Sequence, residues 1–263
     1  LNANTTIPSL HYTSGNFCRQ ALSNFNVDMN GIDSIRWNFG DGVIQTINAN
    51  QQTHLYNNPG HYLPSAEIFT TAGCVIPVTG NDSIHIIHNQ TTFNRTEQKQ
   101  CETTTLSFQP SSNPVSAIWQ FADGITSNEI NPTHIYTASG NYTVTGIFTD
   151  AYGCSDTTTE NLSVAVIHHP IVNIVSDDQT CIRSNISFIS SIQSEDSILN
   201  ISWGPVNGNR LTGDTANFSF QESGMHEILL TVNTSTGCVS QKTKNIQILS
   251  APVISGLQNI SAC

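Results

Sequence analysis

Trp37-Asn38-Phe39-Gly40-Asp41-Gly42 and Trp119-Gln120-Phe121-Ala122-Asp123-Gly124 are two copies of one phrase, and they decide how the rest of the chain is read. Aromatics at alternate positions place both rings on one face of a strand, and the small residue, Asp and Gly that follow predict a tight two-residue reversal. The neighbouring segments repeat as well. Thr53-His54-Leu55-Tyr56 matches Thr133-His134-Ile135-Tyr136, Gly60-His61-Tyr62 matches Gly140-Asn141-Tyr142, and Gly73-Cys74 matches Gly153-Cys154. A phrase order kept this closely is the mark of an array.

A third copy keeps Trp203, Gly224 and Gly237-Cys238 but carries Gly204-Pro205-Val206-Asn207-Gly208 where the hairpin would be. The tryptophans recur at intervals of 82 and 84 residues, and the leading cysteines Cys18, Cys101, Cys181 and Cys263 at 83, 80 and 82. The expected domains are therefore 1–88, 89–169 and 170–250, with 251–263 opening a fourth repeat of a longer chain. Each is a small domain with a small core.

Charged residues make up 10% of the 263, and the formal net charge is -11 with only 8 Lys and Arg. No basic stripe is available to neutralise phosphates, which excludes nucleic acid and anionic membrane as expected partners. No apolar run reaches the roughly 20 residues needed to span a bilayer, so no membrane insertion is expected in this segment. The abundance of Ser, Thr, Asn and Gln suits strands with one solvated face and argues for an all-β fold.

The seven cysteines divide into a pair per repeat plus Cys263. Cys18 with Cys74, Cys101 with Cys154, and Cys181 with Cys238 occupy matching places, and no C-x-x-C spacing supports zinc. The expectation is one disulfide inside each repeat, closing a loop of about 55 residues worth about 4 kcal/mol. Disulfides imply an oxidising compartment, hence an extracellular or periplasmic location.

In the first repeat, strands are expected at 22–27, 34–39, 53–56, 61–69 and 75–88. Trp37, Phe39, Tyr62, Trp119, Phe121, Tyr142 and Trp203 are the expected core. The junctions Ile87-His88-Asn89, Val166-Ile167-His168-His169-Pro170 and Ile248-Leu249-Ser250-Ala251-Pro252 are short, which predicts a semi-rigid string of domains.

The chain holds no G-x-S-x-G elbow, no H-E-x-x-H and no Ser or Cys set beside a His and an acid, so no catalytic residues are expected. His54 and His134, each two residues from a strand Tyr and absent from the third repeat, read as packing residues. His168-His169 reads as solvated linker with a weak capacity for metal. Asp41 and Asp123 read as turn formers rather than calcium ligands, since calcium takes six to eight oxygens from clustered acids; no cofactor is expected. Asn141 and Asn185 stand among many Asn-x-Ser/Thr acceptors, candidate sites for sugar.

W-x-F-G-D-G, then H-x-Y, then G-x-Y-x-V ahead of Gly-Cys resembles the PKD domain, an immunoglobulin-like β-sandwich. The resemblance implies an all-β chain of tandem PKD sandwiches. With the cysteines and the acidic, polar composition it is similar to the tandem repeats of large Bacteroidetes surface proteins exported by the type IX system, adhesins among them. It implies a non-enzymatic stalk whose partners are further repeats, surface polysaccharide or like chains; a self-assembling filament or sheath, and an accessory module of a secreted glycosidase or protease, are the other readings. Asp33-Ser34-Ile35, Asp82-Ser83-Ile84, Asp156-Thr157-Thr158, Asp196-Ser197-Ile198 and Asp214-Thr215-Ala216 resemble that phylum's O-glycosylation motif, making Ser34, Ser83, Thr157, Ser197 and Thr215 candidate acceptors.

Overall fold

A computed structural model describes residues 8–88, 90–205 and 208–251, all strands and loops with no helix among them. The fourth repeat expected to open at 251–263 falls, from residue 252 on and with Cys263, outside the described residues, as do Val206 and Asn207 of the third-repeat turn. Two compact units are present. One is drawn from residues up to Asn94, from Gln109–Pro132 and from Thr143–Glu160; the other from Arg95–Phe108, from Thr133–Tyr142 and from Asn161 onward.

In the first unit, the first repeat pairs Ala21–Val27 with Leu10–His11 and Gln51–Tyr56 in one sheet. A second sheet runs Ile44–Ile47, Ile32–Asn38, Ser65–Thr70, Val75–Thr79. Alternation drives the packing: Phe25 and Tyr56 from one sheet meet Ile35, Trp37 and Ile68 from the other in a single buried cluster. Phe25 lies 6.1 Å from Trp37 and 5.2 Å from Phe39, tilted against both rings. The second repeat contributes Ser116–Gln120 to this unit, where Trp119 is met edge-on by Phe93 at 5.0 Å and Phe148 at 5.1 Å.

The second unit holds the third repeat. Ile171–Val175, Asn185–Gln193 and Thr215–Ser219 form one sheet, and Gln179–Cys181, Val239–Leu249, Gly224–Thr234, Ile198–Gly204 and Leu211–Thr212 the other. Phe188, Trp203, Ile228, Leu230, Val232, Ile246 and Ile248 make its core. Trp203 still pairs across to Leu211 although its turn is recast. Trp37, Phe39, Trp119, Phe121 and Trp203 are all buried, whereas Tyr62 and Tyr142 are half-buried and turn their hydroxyls to the carbonyls of Asn58 and Ala138.

Three expectations change. The strand expected at 61–69 is two strands, Gly60–Tyr62 and Ser65–Thr70, because Pro64 has no N–H to give to a ladder. The first half pairs with Ile84–Ile87 and the second with Ile32–Asn38, so the chain changes sheet at the proline. The strand expected at 75–88 likewise breaks between Thr79 and Ile84. The Trp hairpin closes with Phe39 N–H donating to Val43 O at 3.2 Å, a three-residue loop rather than two, and Phe121 does the same to Ile125. Gly40 has φ +83° and lies so close to Leu63 that a Cβ would sit 2.8 Å from its carbonyl oxygen. Ala122 adopts the same left-handed backbone at φ 65°.

The tryptophans differ in one respect. Trp119 Nε1 donates to Glu129 O at 3.0 Å and Trp203 Nε1 to Gly213 O at 2.8 Å, ten residues on in both cases, while Trp37 Nε1 is buried without an acceptor. Trp119→Ala should cost about 3 to 5 kcal/mol in denaturant unfolding. Trp119→Phe should cost about 1 kcal/mol more than Trp37→Phe, because only the former removes a made hydrogen bond. Equal costs would mean the bond to Glu129 contributes nothing.

Candidate functional site

The leading cysteine of each repeat lies parallel to the chain that ends the same repeat, Cys18 and Cys181 as the last residues of short strands and Cys101 in an isolated bridge. Cys18 lies opposite Ile87, Cys101 opposite Ile167 and Cys181 opposite Leu249. Within two residues the chain turns through a left-handed residue, at Arg19 (φ 70°), Glu102 (φ 63°) and Arg183 (φ 64°). The N–H groups of Arg19 and Glu102 donate to the same carbonyls their cysteines face, those of Ile87 and Ile167. The leading cysteine therefore stands at the trailing end of its repeat.

The Gly-Cys turn stands at the opposite end. Cys238 immediately precedes Val239–Leu249, an 11-residue strand whose far end faces Cys181. At about 3.3 Å per residue that strand separates the two cysteines by about 36 Å, against the 4.4–6.8 Å a disulfide spans. Bonds inside each repeat, expected from the matching positions, are thus ruled out by the strand direction. Disulfides instead join Cys18 to Cys154, with Cα atoms 5.4 Å apart, and Cys101 to Cys238, at 4.9 Å. Each joins the trailing end of one repeat to the leading end of the next. Cys74 is unpaired and exposed, and Cys181 is disulfide-bonded.

Charges collect around both bonds. In the first compact unit, Arg19 Nη2 lies 3.1 Å from Asp156 Oδ1, and the other oxygen of Asp156 accepts the Thr91 N–H at 2.8 Å. Thr158 Oγ1 donates to the Thr91 carbonyl, so the first residues after the junction are held on both sides. In the second unit, Glu102 accepts from His168 Nδ1 at 3.0 Å and from the His169 N–H at 3.1 Å. His169 Nδ1 donates to Val239 O at 3.0 Å, and Ser240 Oγ to Pro170 O at 2.6 Å. His168 and His169, expected as solvated linker, are held by hydrogen bonds on both flanks of the disulfide.

Cys101, Cys238 and His169 place three potential ligand atoms within 4.8 Å of one another. With the sulfurs bonded to each other neither is a thiolate, so the oxidised cluster offers a metal one imidazole. His54 stacks on Phe39 at 4.0 Å and holds Asp41 at 2.7 Å, while Asp41 also accepts the Val43 N–H. Asp123 accepts the Ile125 N–H in the same way. Both carboxylates are engaged in their turns.

Asp196 accepts from Ser235 Oγ, Thr236 N–H and Thr236 Oγ1, and these bonds hold its carboxyl far below the usual carboxylate range. Asp156 and Asp196, noted for a glycosylation-like triplet, thus have structural work beside the cysteine turns. Ser83, Thr157, Ser197, Thr215, Asn141 and Asn185 are exposed, and Ser34 is half-buried. The partners Arg19, Glu102 and Asp156 escaped the sequence reading. Their signal was adjacency, since each lies within two residues of a cysteine in a chain where charge is scarce.

A non-reducing digest of the 263-residue chain should yield the peptides of Cys18 linked to Cys154 and of Cys101 linked to Cys238, with Cys74 open to alkylation; a Cys18–Cys74 peptide would refute the arrangement. The second junction also carries a pH signature. The hydrogen bond to Glu102 raises the His168 pKa above its ordinary 6.5, and the same bond lowers Glu102 below 4.5. The pair's contribution is complete between those two ordinary values. It is lost as pH rises through the raised His168 pKa, or falls through the lowered Glu102 pKa. An NMR titration should find His168 above 6.5 and returned toward it by Glu102→Gln, whereas an unshifted imidazole would mean the pair does not form in solution.

Residues 84–166 match the PKD domain family. Among curated proteins, the Pre-pro-metalloprotease PrtV of Vibrio cholerae is 29% identical over 136 residues, 52% of this chain and 15% of that protein. A Microbial collagenase of Vibrio alginolyticus is 36% identical over 70 residues, 25% of this chain and 9% of its own length. The chain thus spans a small fraction of the relatives it matches. The crystal structure of the PKD1 domain from the Vibrio cholerae metalloprotease PrtV is 32% identical over 28% of this chain and 93% of that domain, with a TM-score of 0.24. The family match is confined to residues 84–166 of this all-β chain.

Proposed function

We propose that the chain is a non-enzymatic spacer in an extracellular protein, in which PKD-type repeats are locked to their neighbours covalently so that each junction resists bending. One observation carries the reading: Cys18–Cys154 and Cys101–Cys238 cross from repeat to repeat instead of closing a repeat on itself. A bond within a domain would protect that domain's core. A bond between domains adds a second covalent tether beside the chain itself, and two tethers remove most of the rotation that one permits. Disulfides of this kind persist where the surroundings are oxidising, which supports an extracellular location. The acidic, sparsely charged surface fits a soluble, load-bearing segment better than a binding groove. Presentation of an adhesive region at a cell surface, as in type IX-exported adhesins, belongs to this reading, as does lateral assembly of such spacers into a filament or sheath.

The relatives favour a second reading, in which the segment is an accessory module of a secreted protease. Both are named for proteolytic activity, and this chain spans only 15% and 9% of them. The coding sequence around residues 1–263 separates the readings: a peptidase domain supports the accessory module, and further repeats support the spacer.

The spacer mechanism is tested by small-angle scattering on the full 263-residue chain before and after reduction, with the Cys18→Ser/Cys154→Ser variant beside it. Reduction and the variant should both broaden the distribution of interatomic distances and raise the flexibility read from the Kratky plot. An unchanged profile would show that the junctions are stiff, or loose, without the bonds.

A further inference from the structure

The Gly-Cys turn occurs three times in nearly one geometry. Gly73, Gly153 and Gly237 have φ of 84°, 83° and 88°. In each turn the glycine N–H donates to the carbonyl four residues before the cysteine, Gly73 to Thr70 at 2.9 Å, Gly153 to Asp150 and Gly237 to Thr234 at 3.1 Å. That same residue's N–H donates back to the cysteine carbonyl, at 2.9, 3.0 and 2.9 Å. Its side chain also takes the cysteine N–H, through Thr70 Oγ1 at 3.0 Å, Asp150 Oδ1 at 2.9 Å and Thr234 Oγ1 at 3.1 Å. Cys154 and Cys238, presented by this turn, are bonded to a leading cysteine and are 3% and 0% exposed. Cys74, presented by the same turn, is exposed and unpaired.

We infer that Cys74 is the accepting half of a further inter-repeat disulfide, whose partner is the leading cysteine of another repeat of this type. The chemistry of the partner is fixed by the two completed examples. It is a cysteine paired in parallel with the chain that ends its repeat, through a short strand at Cys18 or an isolated bridge at Cys101, and followed at once by a left-handed residue, Arg19 or Glu102. Cys18 cannot serve within its own repeat, because it faces Ile87 at the trailing end while Cys74 stands before Val75 at the other. The donor is carried either by a repeat ahead of the first in the same chain or by a second chain.

Bond formation is a two-electron oxidation by thiol–disulfide exchange with a disulfide oxidant. The Cys74 thiolate attacks the oxidant's disulfide, forming a mixed disulfide and releasing one thiol. The donor cysteine's thiolate then attacks the Cys74 sulfur and expels the second half of the oxidant, which leaves as a thiol after taking a proton. One disulfide is consumed, one is made, and two protons pass from the cysteines to the reduced oxidant.

The test uses the full chain extended by a second copy of the first repeat, set ahead of it at the spacing that separates repeats one and two, and refolded in a glutathione redox buffer. Non-reducing peptide mapping should link the added leading cysteine to Cys74 while Cys18–Cys154 persists as the internal standard of folding. In the same chain carrying Cys74→Ser, the added cysteine should become fully alkylatable. An added cysteine that stays free, or Cys74 found only as its glutathione adduct, would overturn the assignment. The unextended chain mixed with its Cys154→Ser variant, whose Cys18 is released, gives the other source under glutathione disulfide: a covalent dimer joining Cys74 of one molecule to Cys18 of another identifies a second chain as donor. A dimer joined only through Cys74 to Cys74 would show an ordinary surface thiol and overturn the inference as well.

Discussion

The parallel pairing of a three- or four-residue strand with the final strand of its own repeat is the constraint on which the rest depends. It sets Cys18 beside Ile87 and Cys181 beside Leu249, at the point where the chain leaves the repeat. In the third repeat the Gly-Cys turn begins that same final strand, so Cys238 and Cys181 are held a strand length apart by the ladder itself; in the first, Cys74 precedes Val75–Thr79 while Cys18 faces the end of the separate strand Ile84–Ile87. The hydrogen bonds of one short edge therefore decide the covalent connectivity of the molecule. A slip of two residues in that pairing would move the leading cysteine by about 7 Å along the sheet, more than a disulfide can absorb.

Energy alone would not distinguish the two connectivities. In the chain-entropy picture, loops with sequence separations of 136 and 137 restrict the unfolded chain by about 5 kcal/mol. The shorter loops of a self-contained repeat would give only about 0.8 kcal/mol less, since the cost grows with the logarithm of loop length. What differs is the object being constrained. The core of each repeat rests on its buried indole and the aromatics around it, and the sulfur is released to act at the junction. The ion pairs there are partly exposed and individually weak, so they orient the junction while the disulfide holds it. The first pairs Arg19 with Asp156, and the second pairs Glu102 with His168, whose attraction fades as the imidazole deprotonates.

The pillars were legible in the sequence because burial and strand alternation are both local. Trp37 and Trp119 are named by the Phe two residues on, and Trp203, which has Pro205 there, by its place in the repeat period. The cysteines were not legible by the same means. A bond from each leading cysteine to the turn of its own repeat, and one to the turn of the next, repeat with the same period, so spacing cannot choose between them. Only strand direction chooses, and it depends on Gly15–Cys18 and Gln179–Cys181, strands too short to announce themselves by periodicity. The break at Leu63-Pro64 was visible as a proline, but that it moves the chain between sheets follows from partners more than twenty residues away. Asp156 and Asp196 carry a role the triplets did not announce, since their carboxylates hold turns while Thr157 and Ser197 beside them stay exposed.

The third repeat shows which parts of this design are separable. It has neither the Asp of the hairpin nor the His-x-Tyr, yet its indole finds a carbonyl ten residues downstream, as Trp119 does. Its cysteine turn keeps the same backbone, with Thr234 where the second repeat uses Asp150 to bind the cysteine N–H. A hydroxyl and a carboxylate are interchangeable there because the task is to accept one N–H, whereas the glycine is not, because the turn needs a positive φ. The sequence is thus free wherever a role is chemical decoration and fixed wherever the backbone must deliver a sulfur to a point. Such a repeat carries a donor at one end and an acceptor at the other, an asymmetric contact of the head-to-tail kind that has no intrinsic reason to stop at any particular number of units.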